Sequence, residues 1–173
     1  MAEPFEEMLT GGHPNSLGRT IEVVDAVLET PGRFAELFDC YASADAVVRL
    51  RTSNAMKRIE AKNHALLVPF IDRFIDEVGA LDQASAQWTL AQLFDRLSDD
   101  LTPDQRQTAL AIMQRNLVEH DDWIVLNCTI ETLSLWARED DALRSWLAAP
   151  LQKLSSDRRA SVAKRATRAL EGL

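Results

Sequence analysis

The chain has 173 residues, a formal net charge of −8, 46% hydrophobic residues and 27% charged residues. This balance excludes a disordered chain and a disulfide-rich miniature, and the negative charge argues against general affinity for nucleic acid. Aromatic residues make up only 6% and Gly and Pro number six each, which favours an all-α fold over a sandwich of short strands.

The first segment of the chain shows no helical periodicity. Residues 1–14 contain Pro4, Gly11, Gly12 and Pro14, so we expect a flexible leader there, followed by a single domain over residues 15–173.

The N-terminus and the cysteines together predict a cytoplasmic protein. The N-terminus has neither the basic nor the apolar region of a secretion signal. Cys40 and Cys128 are the only cysteines, too few for a disulfide framework, although one bridge between them stays open. No long apolar segment indicates a membrane span.

Helical periodicity begins after the leader. Asn15 or Ser16 can cap a first helix that extends to about Glu29, and Pro31 can start a short helix that reaches about Tyr41. Seven further helices are predicted at residues 44–62, 64–79, 83–99, 103–120, 122–138, 140–155 and 157–172.

The connections between these helices are short and polar. Capping side chains stand at their starts, so successive helices should form antiparallel hairpins. Pro69 and Pro150 lie inside predicted helices and should kink them, the alternative being that Pro150 splits its helix in two.

A repeat of 37 to 39 residues runs through the second helix of each hairpin. Aligning Val48, Ala86, Val125 and Val162 brings three further sets of equivalent positions into register without gaps. Those sets are Thr52, Leu90, Thr129 and Ala166; Met56, Phe94, Leu133 and Leu170; and Ile59, Leu97, Trp136 and Leu173. Two-helix units of this length bury their apolar faces only by stacking on one another.

The segment from Asp45 to Ile59, with its Asp, Val-Arg pair and Ala-Met pair, resembles the second helix of HEAT repeats. The segment from Ser161 to Leu170 keeps the valine and the Ala-Leu pair. This resemblance to the HEAT-repeat, armadillo-like family covers residues 31–173. It implies a right-handed α-α superhelix, or α-solenoid, of about four helical hairpins behind an N-terminal capping helix.

Second helices line the concave side in HEAT-like stacks, so equivalent positions opposite the core predict a binding groove. The apolar Leu50 and Trp88 would serve as anchors among polar neighbours; the alternative is that both pack against adjacent helices. The predicted partner-binding residues are Leu50, Asn54, Trp88, Gln92, Asn127, Glu131, Lys164 and Arg168.

No recognised catalytic, cofactor or metal motif is present in the sequence. His120 with two following aspartates, and Glu60 with His64, lack convincing ligand spacing. We therefore expect no catalytic residue, no cofactor and no metal site.

The leading hypothesis is a non-enzymatic scaffold or adaptor that holds a protein or peptide partner on its concave face. One alternative is a HEAT-like protein of the DNA-alkylation repair class, for which Trp88, Trp123, Lys164 and Arg168 are the best support. The other is a structural subunit of a homo-oligomer that joins an acidic front half to a balanced back half ending in a basic helix.

Overall fold

A computed structural model describes residues 2–173, and the regular structure within them is entirely helical. It has ten α-helices, no strands, and 76% of residues in helical conformation, so the all-α prediction is confirmed. The α-helices are α1 (Phe5–Leu9), α2 (Thr20–Glu29), α3 (Phe34–Asp39), α4 (Ala46–Lys62), α5 (Ile71–Arg73), α6 (Ala84–Arg96), α7 (Pro103–Glu119), α8 (Trp123–Trp136), α9 (Asp141–Leu154) and α10 (Ala160–Glu171). Within the described residues, no helix combines the length and apolar character needed to cross a bilayer.

Side-chain caps start most of the long helices. Asp45 accepts a hydrogen bond from the Val47 amide at the start of α4, and Asp122 caps α8 in the same way. Thr102 and Gln105 form a reciprocal capping box at the start of α7, where the first main-chain amides have no acceptor within the helix. These caps explain why α4, α7 and α8 begin within two residues of the predicted starts.

The two internal prolines have different effects. Around Pro69 the predicted helix 64–79 is divided into short 3₁₀ turns, the three-residue α5 and a π-helical turn at Phe74–Val78. Proline has no amide hydrogen, and its ring clashes with the preceding turn. Pro150, by contrast, lies inside the continuous α9, so the alternative that it splits this helix is wrong.

The N-terminal segment contains an element that differs from our expectation of a flexible leader. Phe5 and Leu9 of α1 are fully buried. The Phe5 amide donates to Glu36 Oε1 at 2.9 Å, and the Arg33 guanidinium stacks 3.7 Å above the Phe5 ring. A five-residue helix is unstable alone, so tertiary contacts rather than sequence periodicity hold it.

Packing divides the chain into two compact units, one ending at Thr89 and the next beginning at Leu90. In the first unit, α1, α2, α3 and α4 pack together beside edge-to-face Phe38 and Phe74. In the second unit, α8 packs against α7, α9 and α10, and α9 packs against α10. Contacts thus form mainly between helices that are close in sequence.

The aligned repeat positions form the cores of these units. Val48, Ala86, Val125 and Val162 are each 0% exposed. The other three aligned sets are buried as well, apart from Leu170 and Leu173 in the last copy, which are partly exposed. The repeat alignment therefore identified the buried face of each second helix, while the superhelical arrangement stays a prediction.

Candidate functional site

Two adjoining clefts open on the first unit, with volumes of about 390 and 290 Å³. Pro14, Leu50 and Trp88 line both of them and form the ridge that the clefts share. The first cleft is completed by Ala46, Val47, Arg49, Asp82, Gln83, Ala84 and Ser85, and the second by Asn15, Ser16, Leu17, Arg51 and Asn54. We call this pair the Trp88 cleft.

Helix α4 and the start of α6 form the floor. Leu50 and Asn54 lie one turn apart on α4, while Trp88 lies one turn into α6. Leu50 and Trp88 are both partly buried, so they belong neither to the closed core nor to the open surface. The alternative that both residues pack against adjacent helices therefore stays open beside the prediction that they are binding anchors.

Hydrogen bonds around Gln83 tie the beginnings of the two floor helices together. The Arg49 side chain donates to Gln83 Oε1 and, at 2.6 Å, to the Ser43 carbonyl. Gln83 Nε2 donates in turn to the Ala46 carbonyl at 3.2 Å. These bonds fix the spacing of the floor in the first cleft.

Arg51 extends from α4 to the second cleft, but only 2% of its surface is exposed. It is covered by residues 9–16, which we call the wall of the cleft. Its guanidinium donates to five main-chain carbonyls of the segment that precedes α2. The acceptors are Leu9 at 2.6 Å, Thr10 at 3.2 Å, Gly11 at 2.6 Å, His13 at 3.3 Å and Ser16 at 3.1 Å.

Asp45 forms a hydrogen bond with the beginning of the same segment, at Thr10. The Thr10 hydroxyl donates to Asp45 Oδ2 at 2.9 Å, while Oδ1 caps α4. The Val47 amide and the Thr10 hydroxyl hold the pKa of the Asp45 carboxyl below its usual value. The carboxylate therefore stays ionised beside the wall.

The structure brings three of the eight predicted partner-binding residues together. Leu50, Asn54 and Trp88 line the Trp88 cleft. Glu131, Lys164 and Arg168 are exposed on α8 and α10 of the second unit. Their role in binding stays a prediction.

The two remaining predicted residues, Gln92 and Asn127, are turned into the packing of the second unit. Asn127 is only 8% exposed and its amide reaches Ser161 Oγ at 3.4 Å, which corrects our expectation that it lines an open groove. Gln92 is partly buried and its amide donates to Cys128 Sγ at 3.5 Å. Neighbouring helices cover both side chains. The sequence did not predict this, because a helical wheel places a residue on a face without showing how closely the next helix approaches.

Several lining residues were not found by sequence reasoning. Pro14 belongs to the expected leader. Asn15 and Ser16 were predicted as caps of the first helix, but that helix begins later, at Thr20, and both residues lie in the segment before it. Gly11, Gly12 and Gly18 have positive φ angles. They were the available signal that the segment follows a defined path.

Two further clefts lie in the second unit. One, of about 680 Å³, contains several carboxylates and Arg106, whose guanidinium stacks 4.0 Å above the Trp136 ring. The other, of about 410 Å³, lies beside His120 and Pro150. Asp140 in the first is occupied as the cap of α9, and His120 in the second accepts the Asp122 amide at 3.0 Å.

The other candidate ligand residues have structural partners. His64 Nδ1 lies 3.0 Å from Glu60 Oε1 one turn earlier in the chain. Across residues 2–173, no group of three or more His, Cys, Asp and Glu side chains is arranged to hold a metal ion. Cys40 and Cys128 are both buried, and no disulfide joins them, so the bridge left open by the sequence is absent.

Comparison with known proteins returned no match to a family model, to a curated protein or to a solved structure.

Proposed function

We propose that the chain is a non-enzymatic, HEAT-like helical-repeat module that binds a peptide segment of a protein partner in the Trp88 cleft. The observation that carries this proposal is the ridge of Pro14, Leu50 and Trp88 between two small clefts, the first mainly apolar and the second of mixed polarity. A partly exposed tryptophan flanked by pockets is the type of residue that dominates binding energy in protein interfaces.

Hydrogen bonds between successive second helices support the repeat architecture. In the second unit, the Thr132 hydroxyl of α8 donates to the Ala91 carbonyl of α6 at 2.9 Å. On the other side of α8, Glu131 pairs with Arg165 of α10 at 3.1 Å. Each of these contacts joins residues about one repeat apart in sequence, as neighbouring hairpins of a stack require.

The cleft favours a partner with apolar anchors and basic flanking residues. Two clefts separated by an aromatic ridge suit a peptide that inserts one apolar side chain on each side of Trp88. The exposed Asp82 lies at the first cleft. Residues 1–89 carry 14 Asp and Glu against 8 Lys and Arg, so Lys or Arg beside the anchors would be attracted by charge.

A random dodecapeptide library displayed on phage tests the proposal. We expect selected peptides to carry two bulky apolar residues and to bind Trp88→Ala at least about tenfold more weakly than the unchanged protein. Trp123→Ala is the matched control, because Trp123 is 50% exposed and lies in the other unit. Selected peptides that bind Trp88→Ala and the unchanged protein equally, or a selection that yields none, would overturn the proposal.

A second candidate function, self-association, is favoured by the charge distribution. Residues 142–173 carry seven Lys and Arg against two Asp and Glu, whereas the remainder carries 12 against 25. Lys164 and Arg168 are exposed on α10. Contact between this basic end and the acidic surface of a second copy would be strong only at low salt.

Light scattering at low and high salt measures the association directly. The self-association candidate predicts a mass above that of the monomer at low salt, which returns to the monomer value at high salt and in Lys164→Glu/Arg168→Glu. A monomer at every salt and protein concentration would exclude it.

A further inference from the structure

The wall of the Trp88 cleft is a non-helical segment that owes its shape to one buried side chain of the floor helix. We infer that Arg51 is the positioning residue of the binding site: its guanidinium holds residues 9–16 in place as the wall against which the partner packs. This inference rests on the proposed function, since it concerns the same cleft.

Five hydrogen bonds from Arg51 join this wall to the middle of α4, beside the single bond from Thr10 to Asp45. An arginine has five N–H donors in a planar fork, and here they reach carbonyls that span eight residues of chain. A buried charge costs free energy unless its donors are satisfied. The guanidinium and the segment are therefore each stable only in the presence of the other.

The geometry requires arginine at position 51 and glycine at position 18. Lysine has three donors on a single atom and cannot reach acceptors spread around a plane. At Gly18, which has φ +51°, an added Cβ would lie 2.8 Å from Arg51 Cζ. Both the backbone conformation and the close approach exclude a larger residue at this position.

The direction of the carbonyls also determines what a partner can recognise. The carbonyls of Leu9, Thr10, Gly11, His13 and Ser16 point at Arg51 and already accept its N–H groups, so they are poorly placed to pair with the backbone of an added strand. The wall and the residue that follows it present side chains instead, Pro14 from the wall and the 38% exposed Leu17 after it. Recognition by side-chain insertion, rather than by strand addition, follows from this arrangement.

Arg51→Met and Arg51→Lys test the inference, with Ile59→Val as the control. Ile59 is fully buried in the same helix, so its loss of one methylene lowers stability without touching the wall. Two quantities are measured in the full chain: the rate of subtilisin cleavage within residues 10–18, and the affinity for a peptide selected on the unchanged protein.

Arg51→Met should increase the cleavage rate and weaken the peptide affinity, each by at least about tenfold, while helical content and cooperative unfolding persist. Arg51→Lys should give smaller changes in the same direction, and Ile59→Val should change neither quantity by more than about twofold. A folded Arg51→Met protein with unchanged cleavage and affinity would overturn the inference.

Gly18→Ala keeps the inference testable if Arg51→Met fails to fold. It should loosen the wall from the opposite side and increase cleavage within residues 10–18, whereas Gly32→Ala, where an added Cβ meets nothing within 4 Å, should not. An unchanged cleavage rate in Gly18→Ala would contradict the inference that Arg51 holds the wall. If no peptide binds the unchanged protein, the proposed function fails, but the cleavage rates still decide whether Arg51 holds the wall.

Discussion

Single side chains with several partners hold the connections between helices in this protein. Asp157, in the turn between α9 and α10, accepts hydrogen bonds from the Arg159 amide at 2.8 Å and from the Arg159 guanidinium at 2.7 Å. Arg159 in turn donates to the Asp121 carbonyl at the start of α8. One ion pair therefore joins two helix connections within the second unit.

Replacing Asp157 should make stability depend less on pH. The side-chain and main-chain hydrogen bonds from Arg159 lower the pKa of Asp157 to about 2 from its usual 3.8. The stabilisation is thus complete above pH 3.8 and is lost as the pH falls toward 2. Asp157→Asn should lower the free energy of unfolding by up to about 1 kcal/mol at neutral pH.

Urea unfolding at several pH values measures this effect. The difference between the unchanged protein and Asp157→Asn should narrow as the pH decreases below 3.8. A difference that stays constant down to the acid limit of folding would show that the ion pair does not have the assigned strength.

Cys40 should be almost unreactive while the protein is folded. Burial raises the pKa of its thiol to about 12, and the carboxylates of Glu6, Glu36 and Asp39 contribute to the increase. Because only the thiolate reacts, the alkylation rate at pH 8 should fall roughly a thousandfold below that of an ordinary cysteine. Mass spectrometry after iodoacetamide treatment, with urea-unfolded protein as the reference, would contradict the assignment if Cys40 reacted equally fast in both.

At the scale of helices, side-chain caps account for where α4, α7, α8 and α9 begin. The sequence predicted the starts of α7 and α8 to within one residue, because Thr102 and Asp122 accept hydrogen bonds from amides two or three residues later. The last helix begins at Ala160, later than the expected position 157, because Asp157 binds Arg159 instead of capping. The structure around Pro69 could not be predicted from the sequence, because the choice among short turns depends on tertiary contacts.

The capping box of α7 can be tested with a matched pair of threonines. Thr102→Ala removes the side chain that accepts the Gln105 amide at 3.2 Å and should lower the free energy of unfolding by about 1 kcal/mol. Thr108 lies exposed inside the same helix and bonds only the Asp104 carbonyl. Thr108→Ala should therefore change stability by a few tenths of a kcal/mol at most. Equal losses in thermal or urea unfolding would contradict the role of the cap.

At the scale of the whole molecule, the repeat explains the cores better than it explains the surface. Periodicity identifies a buried stripe because that stripe recurs every three or four residues, and the four aligned valine and alanine positions are all buried. The same alignment placed Leu50 and Trp88 on one face, and both line the Trp88 cleft, while their role in binding stays a prediction. It placed Asn127 there too, although α10 covers this residue.

The wall of the cleft was beyond sequence reasoning for a physical reason. Arg51 and its acceptors lie 35 to 42 residues apart in sequence, and no periodic pattern connects a side chain with main-chain carbonyls at that distance. Gly11 and Gly12 favoured a flexible leader, because glycine in a sequence shows that a positive φ is allowed and not that it is adopted.

The most direct test of the Trp88 cleft is an NMR titration of ¹⁵N-tryptophan-labelled protein with a library-selected peptide. The four tryptophans give four indole signals, each assignable by a single Trp→Phe substitution. Peptide binding at the proposed site predicts a saturable shift of the Trp88 signal, with Trp123, Trp136 and Trp146 unmoved. A saturable shift at Trp123, with Trp88 unchanged, would contradict it.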